Sequence, residues 1–237
     1  TDRNRTSPFA FTGNKFEFRM VGSKDSISAC NVVLNTITAE AFKEACDALE
    51  SAEDFDLAVH DLIKEYATQH QRIVFNGNGY APEWEKEARR RGLPVLPSMV
   101  DAIPALTTDK AVELFGEFGV FTKTELESRA EIQYEIYAKA INIEAKTMVD
   151  MATKQIIPAV IKYTTVLAES INQVKAVGPI DVSVQMDLLK KASKLLKEVN
   201  STMNKLSKLV DQIETHPEGR DRAVFCREKL VPAMEKL

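Results

Sequence analysis

The stretch Thr122–Val177 decides the fold; it reads TKTELESRAEIQYEIYAKAINIEAKTMVDMATKQIIPAVIKYTTVLAESINQVKAV. It contains no glycine and a single proline, Pro158, and it is rich in Glu, Ala, Lys, Ile and Met. This composition favours a helix throughout, and 56 residues in one helix would span on the order of 80 Å. Pro158 is expected to kink or break the helix, because proline lacks an amide hydrogen and clashes with the preceding turn.

The chain beyond this stretch predicts two more helices. Gly178-Pro179 should end the long helix, and a second helix should run over about 182–215. Its apolar residues step by three or four, as in a packed seam: Leu188, Ala192, Leu195, Val199, Met203, Leu206, Val210 and Ile213. Pro217-Glu-Gly219 then turns the chain into a last helix. We therefore expect residues 122–237 to form a helical hairpin or bundle, packed on its own neighbours or on another subunit.

The first part of the chain mixes strand and helix patterns. Residues 14–21 (NKFEFRMV) alternate between polar and apolar side chains, which predicts a half-buried strand. The segment RIVF (72–75) is typical of a short strand. Helical spacing predicts three helices, over about 28–51, 55–70 and 82–92, and the prolines of residues 93–107 predict an irregular connector.

Composition bounds the class of protein. The 237 residues are 44% hydrophobic with a net charge of −4, which argues against disorder and against a general nucleic-acid binder. Three widely spaced cysteines without a CxxC motif are typical of a reducing compartment. No apolar run approaches the roughly 20 residues of a membrane span, and no signal peptide opens the chain. A start at Thr1 rather than methionine suggests a piece of a longer chain.

The predicted strand at 14–21 carries a charged face with two open interpretations. Residues two apart share a face, so Lys15, Glu17 and Arg19 should project together while Phe16 and Phe18 enter a core. The face could be the wet side of a surface strand, held by cross-strand salt bridges. It could instead be the wall of a polar cleft, where a carboxylate holds a divalent cation and arginine binds phosphate or carboxylate groups.

The residues around this strand resemble a known family. The stretch NRTSPFAFTGNKFEFR (4–19) resembles the C-terminal part of the glutamine synthetase catalytic domain, most closely in the type III form of that enzyme. SACNVVLNTITAEAF (28–42) resembles the helix that follows in the family. Four further segments look like the type III extension: RIVFNGNGY, VDAIPAL, GVFTKTELESR and INIEAKTMVDMA.

The resemblance implies a fold and an activity. The fold would be α+β and predominantly helical, with short strands of a glutamine-synthetase-like catalytic sheet followed by a long-helix hairpin or bundle. Residues 1–107 would complete the catalytic domain, and residues 108–237 would form the helical extension. The activity would be ATP-dependent ligation of ammonia to glutamate through a γ-glutamyl phosphate, with Mg²⁺ or Mn²⁺. The subunits would assemble into homo-oligomeric rings in the cytoplasm.

The resemblance also assigns roles to four residues. Arg5 takes the position that stabilises the transferring phosphoryl group, and Arg19 the position that binds glutamate. Glu17 takes a metal-ligand position. Lys15 falls where most of the family has an arginine near the nucleotide, and the segment 8–12 lacks an arginine that the wider family carries.

Two other functions remain open from the sequence. The chain could be a non-enzymatic helical scaffold with an amphipathic strand at its start, or a catalytically silent regulatory paralogue of the enzyme. If the resemblance holds, the 237 residues alone should be inactive, because the family's other metal ligands lie upstream of them.

Overall fold

The computed structural model describes residues 26–79 and 81–237, together with the backbones of residues 9–11 and 16–18. The chain forms two compact units, residues 1–97 with 109–122 and residues 98–108 with 123–237. The predicted division at residue 107 concerns the domains of the resembled family, and it stays a prediction.

The long helix of the second unit is present and is widened at one point. Helix α6 (Lys123–Met151) leads through a π turn (Ala152–Ile156) into α7 (Ile157–Val177). In the π turn the amide of Ile157 donates to the carbonyl of Ala152, five residues back. The wider turn makes room for Pro158, whose ring would otherwise clash with the carbonyl four residues earlier. The predicted interruption at Pro158 is therefore a π turn within a continuing helix.

The same arrangement recurs near the C-terminus. Helix α9 (Arg220–Phe225) leads through a π turn (Cys226–Leu230) into α10 (Val231–Glu235), and Pro232 again lies two residues past the turn. The amide of Val231 donates to the carbonyl of Cys226. The last predicted helix is thus confirmed, with one wide turn that accommodates its proline.

Helix α8 (Ser183–Gln212), followed by a 3-10 turn (Ile213–Thr215), confirms the predicted second helix. It runs antiparallel to α7. The hydroxyl of Thr153, in the π turn that precedes α7, lies 3.1 Å from the sulfur of Met203 in α8. The core of the unit forms between α6, the second half of α8 and the α9–α10 segment. Its most buried members include Tyr134, Ala145, Leu206, Ile213, Ala223, Cys226 and Leu230.

The predicted irregular connector over 93–107 is wrong in its second half. Residues Met99–Ala102 form a short helix, α4, and Ile103–Thr107 form a 3-10 turn. Ser98 caps α4 through its hydroxyl, which accepts from the amide of Asp101. Val100 and Ile103 are buried in the core of the second unit. Burial of these two side chains explains why a proline-rich segment is ordered into helical turns.

The first unit is also helical over the residues described after 25. It contains α1 (Ile27–Leu49), α2 (Phe55–Gln69), α3 (Pro82–Arg90) and α5 (Asp109–Glu117). The first three confirm the predicted helices, and α5 lies in a segment for which no element was predicted. Lys43 of α1 pairs with Glu117 of α5 at 2.7 Å.

The predicted strand RIVF (72–75) is wrong. Gln71–Ile73 form a 3-10 turn, and the guanidinium of Arg91 donates to the carbonyls of Arg72 and Val74. A side chain thus satisfies carbonyl groups that a neighbouring strand would otherwise take.

Two short strands are described near the start of the chain. Strand β1 (Phe9–Phe11) pairs antiparallel with β2 (Phe16–Phe18), with Ala10 opposite Glu17. Whether this pair belongs to a larger catalytic sheet stays a prediction.

Candidate functional site

The site predicted from the sequence lies at the start of the chain. Arg5, Lys15 and Arg19 fall outside the described residues, and the description of Glu17 is limited to its backbone in β2. The roles assigned to these four residues therefore stay predictions.

The described side chains do not form a metal centre of their own. Among residues 26–79 and 81–237, no three His, Cys, Asp or Glu side chains are grouped so that they could hold a metal ion. Magnesium requires near-octahedral coordination, ordinarily by carboxylate, phosphate and water oxygens. The metal site implied by the resemblance, with Glu17 as one ligand, stays a prediction.

An aromatic cluster with one arginine joins Phe75, which precedes the NGNG segment (76–79), to Trp84 of α3. The rings of Phe75 and Trp84 stack with centroids 4.2 Å apart, and the guanidinium of Arg91 lies 5.8 Å from the centre of each ring. A Cβ atom at Gly77 would come within 2.6 Å of the Phe75 ring. A side chain at position 77 would therefore displace the Phe75 ring.

Glu87 holds the arginine of this cluster in place. Its carboxylate accepts from both Nε and Nη2 of Arg90, each at 2.7 Å, and from Nε of Arg91 at 2.5 Å. The hydrogen bonds from Arg90 and then Arg91 lower the pKa of Glu87 to about 2. This role of Arg91 was not predicted from the sequence. The signal available in the sequence was the spacing of Glu87 to Arg90 and Arg91, three and four residues apart on one helix face.

A second polar cluster fastens α4 to the second π turn. Asp101 pairs with Arg227, and the Ser98 hydroxyl donates to the Asp101 carboxylate at 2.8 Å. These hydrogen bonds, from Ser98 first and Arg227 second, lower the pKa of Asp101. Arg227 also donates to Glu228 at 3.0 Å. Every charge of the cluster is paired inside it, so the cluster is built for structure.

Cys226 and Tyr137 lie next to this cluster, and neither is poised for chemistry at neutral pH. Burial raises the pKa of the Cys226 thiol to about 11, so the thiol stays protonated and is a poor nucleophile. Burial also raises the pKa of the Tyr137 hydroxyl. Tyr134 is buried in the hydrophobic core, and Tyr137 packs against it.

A shallow depression on α2 is lined by Asp61, Lys64, Glu65, Thr68 and Gln69, all from the exposed side of one helix. Within the described residues, no helix is both long and apolar enough to cross a membrane.

Comparison with known proteins identifies the family. The glutamine synthetase C-terminal domain family matches residues 58–175. Over its whole length the chain is 36% identical to the type-3 glutamine synthetase of Dictyostelium discoideum, of which it covers 33%. It is 34% identical to the glutamine synthetase of Butyrivibrio fibrisolvens and 33% identical to that of Bacteroides fragilis strain YCH46, and it covers 34% of each. The chain spans about a third of the length of these curated relatives.

The family match begins in α2 and ends within α7, so this helical part of the chain corresponds to a glutamine synthetase C-terminal domain. The chain belongs to the glutamine synthetase family, in the type III form that its sequence resembles. The resemblance drawn from residues 4–19 and from the segments of the extension is confirmed at this level.

Proposed function

We propose that the complete protein ligates ammonia to glutamate at the expense of ATP, and that this chain contributes the last part of its catalytic domain and a helical extension. One observation carries the proposal: the whole chain, from the NRTS segment to the last helix, aligns with a type-3 glutamine synthetase at 36% identity. The reaction proceeds in two steps. The γ-phosphoryl group of ATP passes to the side-chain carboxylate of glutamate, and ammonia then displaces phosphate from the resulting acyl phosphate.

Four residues of this chain are proposed to act on that reaction. Arg5 stabilises the charge on the transferring phosphoryl group, since a planar guanidinium meets phosphate oxygens bidentately. Arg19 binds glutamate or its phosphorylated form through the same geometry. Lys15 lies near the nucleotide, where a lysine keeps the positive charge but gives only a point contact.

Glu17 is proposed as one ligand of a divalent cation, Mg²⁺ or Mn²⁺. When bound, such an ion neutralises the oxygens of the nucleotide phosphates. An anionic carboxylate suits this ion, and in the sequence Glu17 lies between two cationic residues, Lys15 and Arg19.

The helical extension is proposed to serve assembly into a homo-oligomer in the cytoplasm. Helix α6 carries apolar side chains on two sides. One side, with Ala130, Tyr134 and Ala138, is buried in the core of the second unit. The other side exposes three isoleucines, Ile132, Ile136 and Ile143. A helix that is apolar on both sides ordinarily has partners on both.

Substitutions in the complete protein test the catalytic proposal. Arg5→Ala and Glu17→Ala should each reduce glutamine formation by orders of magnitude, because both residues act on transition-state charge. Arg3→Ala, a change of the same type two residues from Arg5, is the matched control and should have a small effect. Full activity of the Arg5→Ala protein would contradict the proposed role. The 237-residue chain alone should neither hydrolyse ATP nor form glutamine, and turnover by it would contradict the assignment of a partial site.

A further inference from the structure

The hairpin of α7 and the first half of α8 has one apolar side that nothing within the described residues covers. We propose that this side is a contact surface between two copies of the chain. The inference rests on the assembly part of the proposed function and is independent of the catalytic part. We call the surface the hairpin face and define it by Tyr163, Val166 and Val177 of α7 and Val184, Leu188 and Leu195 of α8.

Helix α8 shows most directly that one apolar side is buried in part and exposed in part. Leu188 and Leu206 are 18 residues apart, and so are Leu195 and Ile213. Eighteen residues are five full helical turns, so the two members of each pair lie on the same side of the helix. Leu206 and Ile213 are 0% and 1% exposed, whereas Leu188 and Leu195 are 43% and 47% exposed. The same apolar side is therefore buried in one half of the helix and open in the other.

The buried half shows what kind of partner this side accepts. Leu206 and Ile213 belong to the same core cluster as Cys226 and Leu230, which lie in the wide turn between α9 and α10. A helical segment thus covers α8 over this half. The hairpin face continues the same surface, so a helix is the partner that fits it.

Helix α7 extends the face across the hairpin. Leu167 and Ile171 of α7 are buried and lie on the side that packs along α8. Because the helices are antiparallel, helical periodicity places Tyr163, Val166 and Val177 on the same side of the hairpin as Leu188. The opposite side is polar and includes Asn172, Ser193, Asn200 and Asn204. The hairpin is therefore amphipathic as a two-helix layer.

The size and charge of the hairpin face favour a second copy as the occupant. Its six side chains are 43–80% exposed and together present on the order of 500 Å², which approaches the roughly 800 Å² per partner of a standard interface. Both signs of charge flank it, with Lys162 and Glu169 on α7 and Lys191 and Glu198 on α8. Because charges of both signs flank the face, two copies can pack through it without like-charge repulsion. The face also has no excess positive charge that would attract a nucleic acid or an anionic membrane.

Sedimentation velocity of the 237-residue chain over a range of concentrations tests the proposal. The unmodified chain should reach at least twice the 26.5 kDa of one copy. Val166→Glu and Leu188→Glu should each weaken association by at least about tenfold, because a carboxylate would be buried against apolar side chains. Ile161→Glu is the matched control: Ile161 is 50% exposed on the polar side of the same hairpin, and this variant should associate like the unmodified chain. Circular dichroism checks that each variant keeps its helices.

The outcomes separate the alternatives. Folded Val166→Glu and Leu188→Glu chains that associate as tightly as the unmodified chain would overturn the hairpin face while leaving assembly through another surface, such as the isoleucines of α6. Equal loss of association in Ile161→Glu would overturn it as well. An unmodified chain that stays a single copy at every concentration would overturn both this inference and the assembly role, and would assign the face to a helix from another protein.

Discussion

Asp101 on α4 and Arg227 in the second π turn form an ion pair that joins segments 126 residues apart in sequence. The pair ties the 98–108 segment to the end of the chain, next to the buried residues Val100 and Ile103. The carboxylate also accepts from the Ser98 hydroxyl that caps α4, so one aspartate orders a helix start and a long-range contact together.

Removing the Asp101 carboxylate should destabilise the second unit at neutral pH. We expect Asp101→Asn to lower the thermal midpoint by a few degrees at about pH 7, since Arg227 loses its long-range partner. Arg220→Gln, at an exposed position seven residues from Arg227, is the control and should leave the midpoint nearly unchanged. Thermal unfolding followed by circular dichroism measures both; an unchanged midpoint in Asp101→Asn would show that the pair contributes little.

The same carboxylate gives a pH dependence with a definite sign. Its pKa is lowered in the folded state from the ordinary 3.8. The pair therefore contributes its full stability above about 3.8, and the contribution is lost as the pH falls through the lower folded-state pKa. The difference in midpoint between the unmodified chain and Asp101→Asn should consequently shrink towards zero in acid. A difference that persists unchanged at about pH 2 would contradict this account.

The sequence predicts the helices of this chain better than the contacts between them. Long glycine-free stretches and regular apolar spacing are local signals, which is why α1, α2, α3 and the α6–α8 segment are predicted with nearly correct bounds. The strand prediction for RIVF (72–75) failed because the composition of the segment does not decide its structure. The side chain of Arg91 donates to the carbonyls of Arg72 and Val74 instead. The prediction of an irregular connector failed over 99–107 because the turns there depend on burial against α6 and α9, which lie outside the segment.

For the candidate site too, local patterns are predictable from the sequence and contacts between distant residues are not. Residue types and order around Glu17 are enough to indicate the family, because a charged strand face next to an arginine loop is a local pattern. The contacts of Arg91 with the carbonyls of Arg72 and Val74, and of Arg227 with Asp101, form only in three dimensions. For Arg227 the partner is 126 residues away, and no spacing rule in a single sequence links the two.

Arg91 should control the environment of Trp84, which is the chain's single tryptophan. We expect Arg91→Met to shift the emission of Trp84 and to increase its quenching by acrylamide, because the loop carrying Phe75 loses the donor that holds its carbonyls. Arg90→Met is the matched control, since Arg90 shares Glu87 but only Arg91 is placed over the rings. Equal spectra for the two variants would show that the guanidinium does not order the aromatic pair.

Gly219 should be intolerant of a side chain. Its backbone has φ +79° and ψ −136°, a region that residues with a Cβ rarely adopt, and an added Cβ would meet the carboxylate of Glu131. We expect Gly219→Ala to lower the free energy of unfolding by about 1–3 kcal/mol. Gly116→Ala is the control: Gly116 lies in α5 with open space around it, so alanine there should raise stability by up to about 1 kcal/mol. Urea unfolding compares the two, and equal effects would rule out backbone conformation as the cause.

Cys46 and Cys226 should differ sharply in reactivity because one is exposed and the other is buried. Cys226 is fully buried and the pKa of its thiol is raised to about 11, whereas Cys46 is exposed on α1. At about pH 8 we expect iodoacetamide to modify Cys46 at least a hundredfold faster than Cys226, since the thiolate is the reactive form. Mass spectrometry of the modified peptides identifies each site. Cys46→Ser should remove the fast phase and Cys226→Ser should leave it intact, while rapid modification of Cys226 in the folded chain would mean that the second π turn opens to solvent.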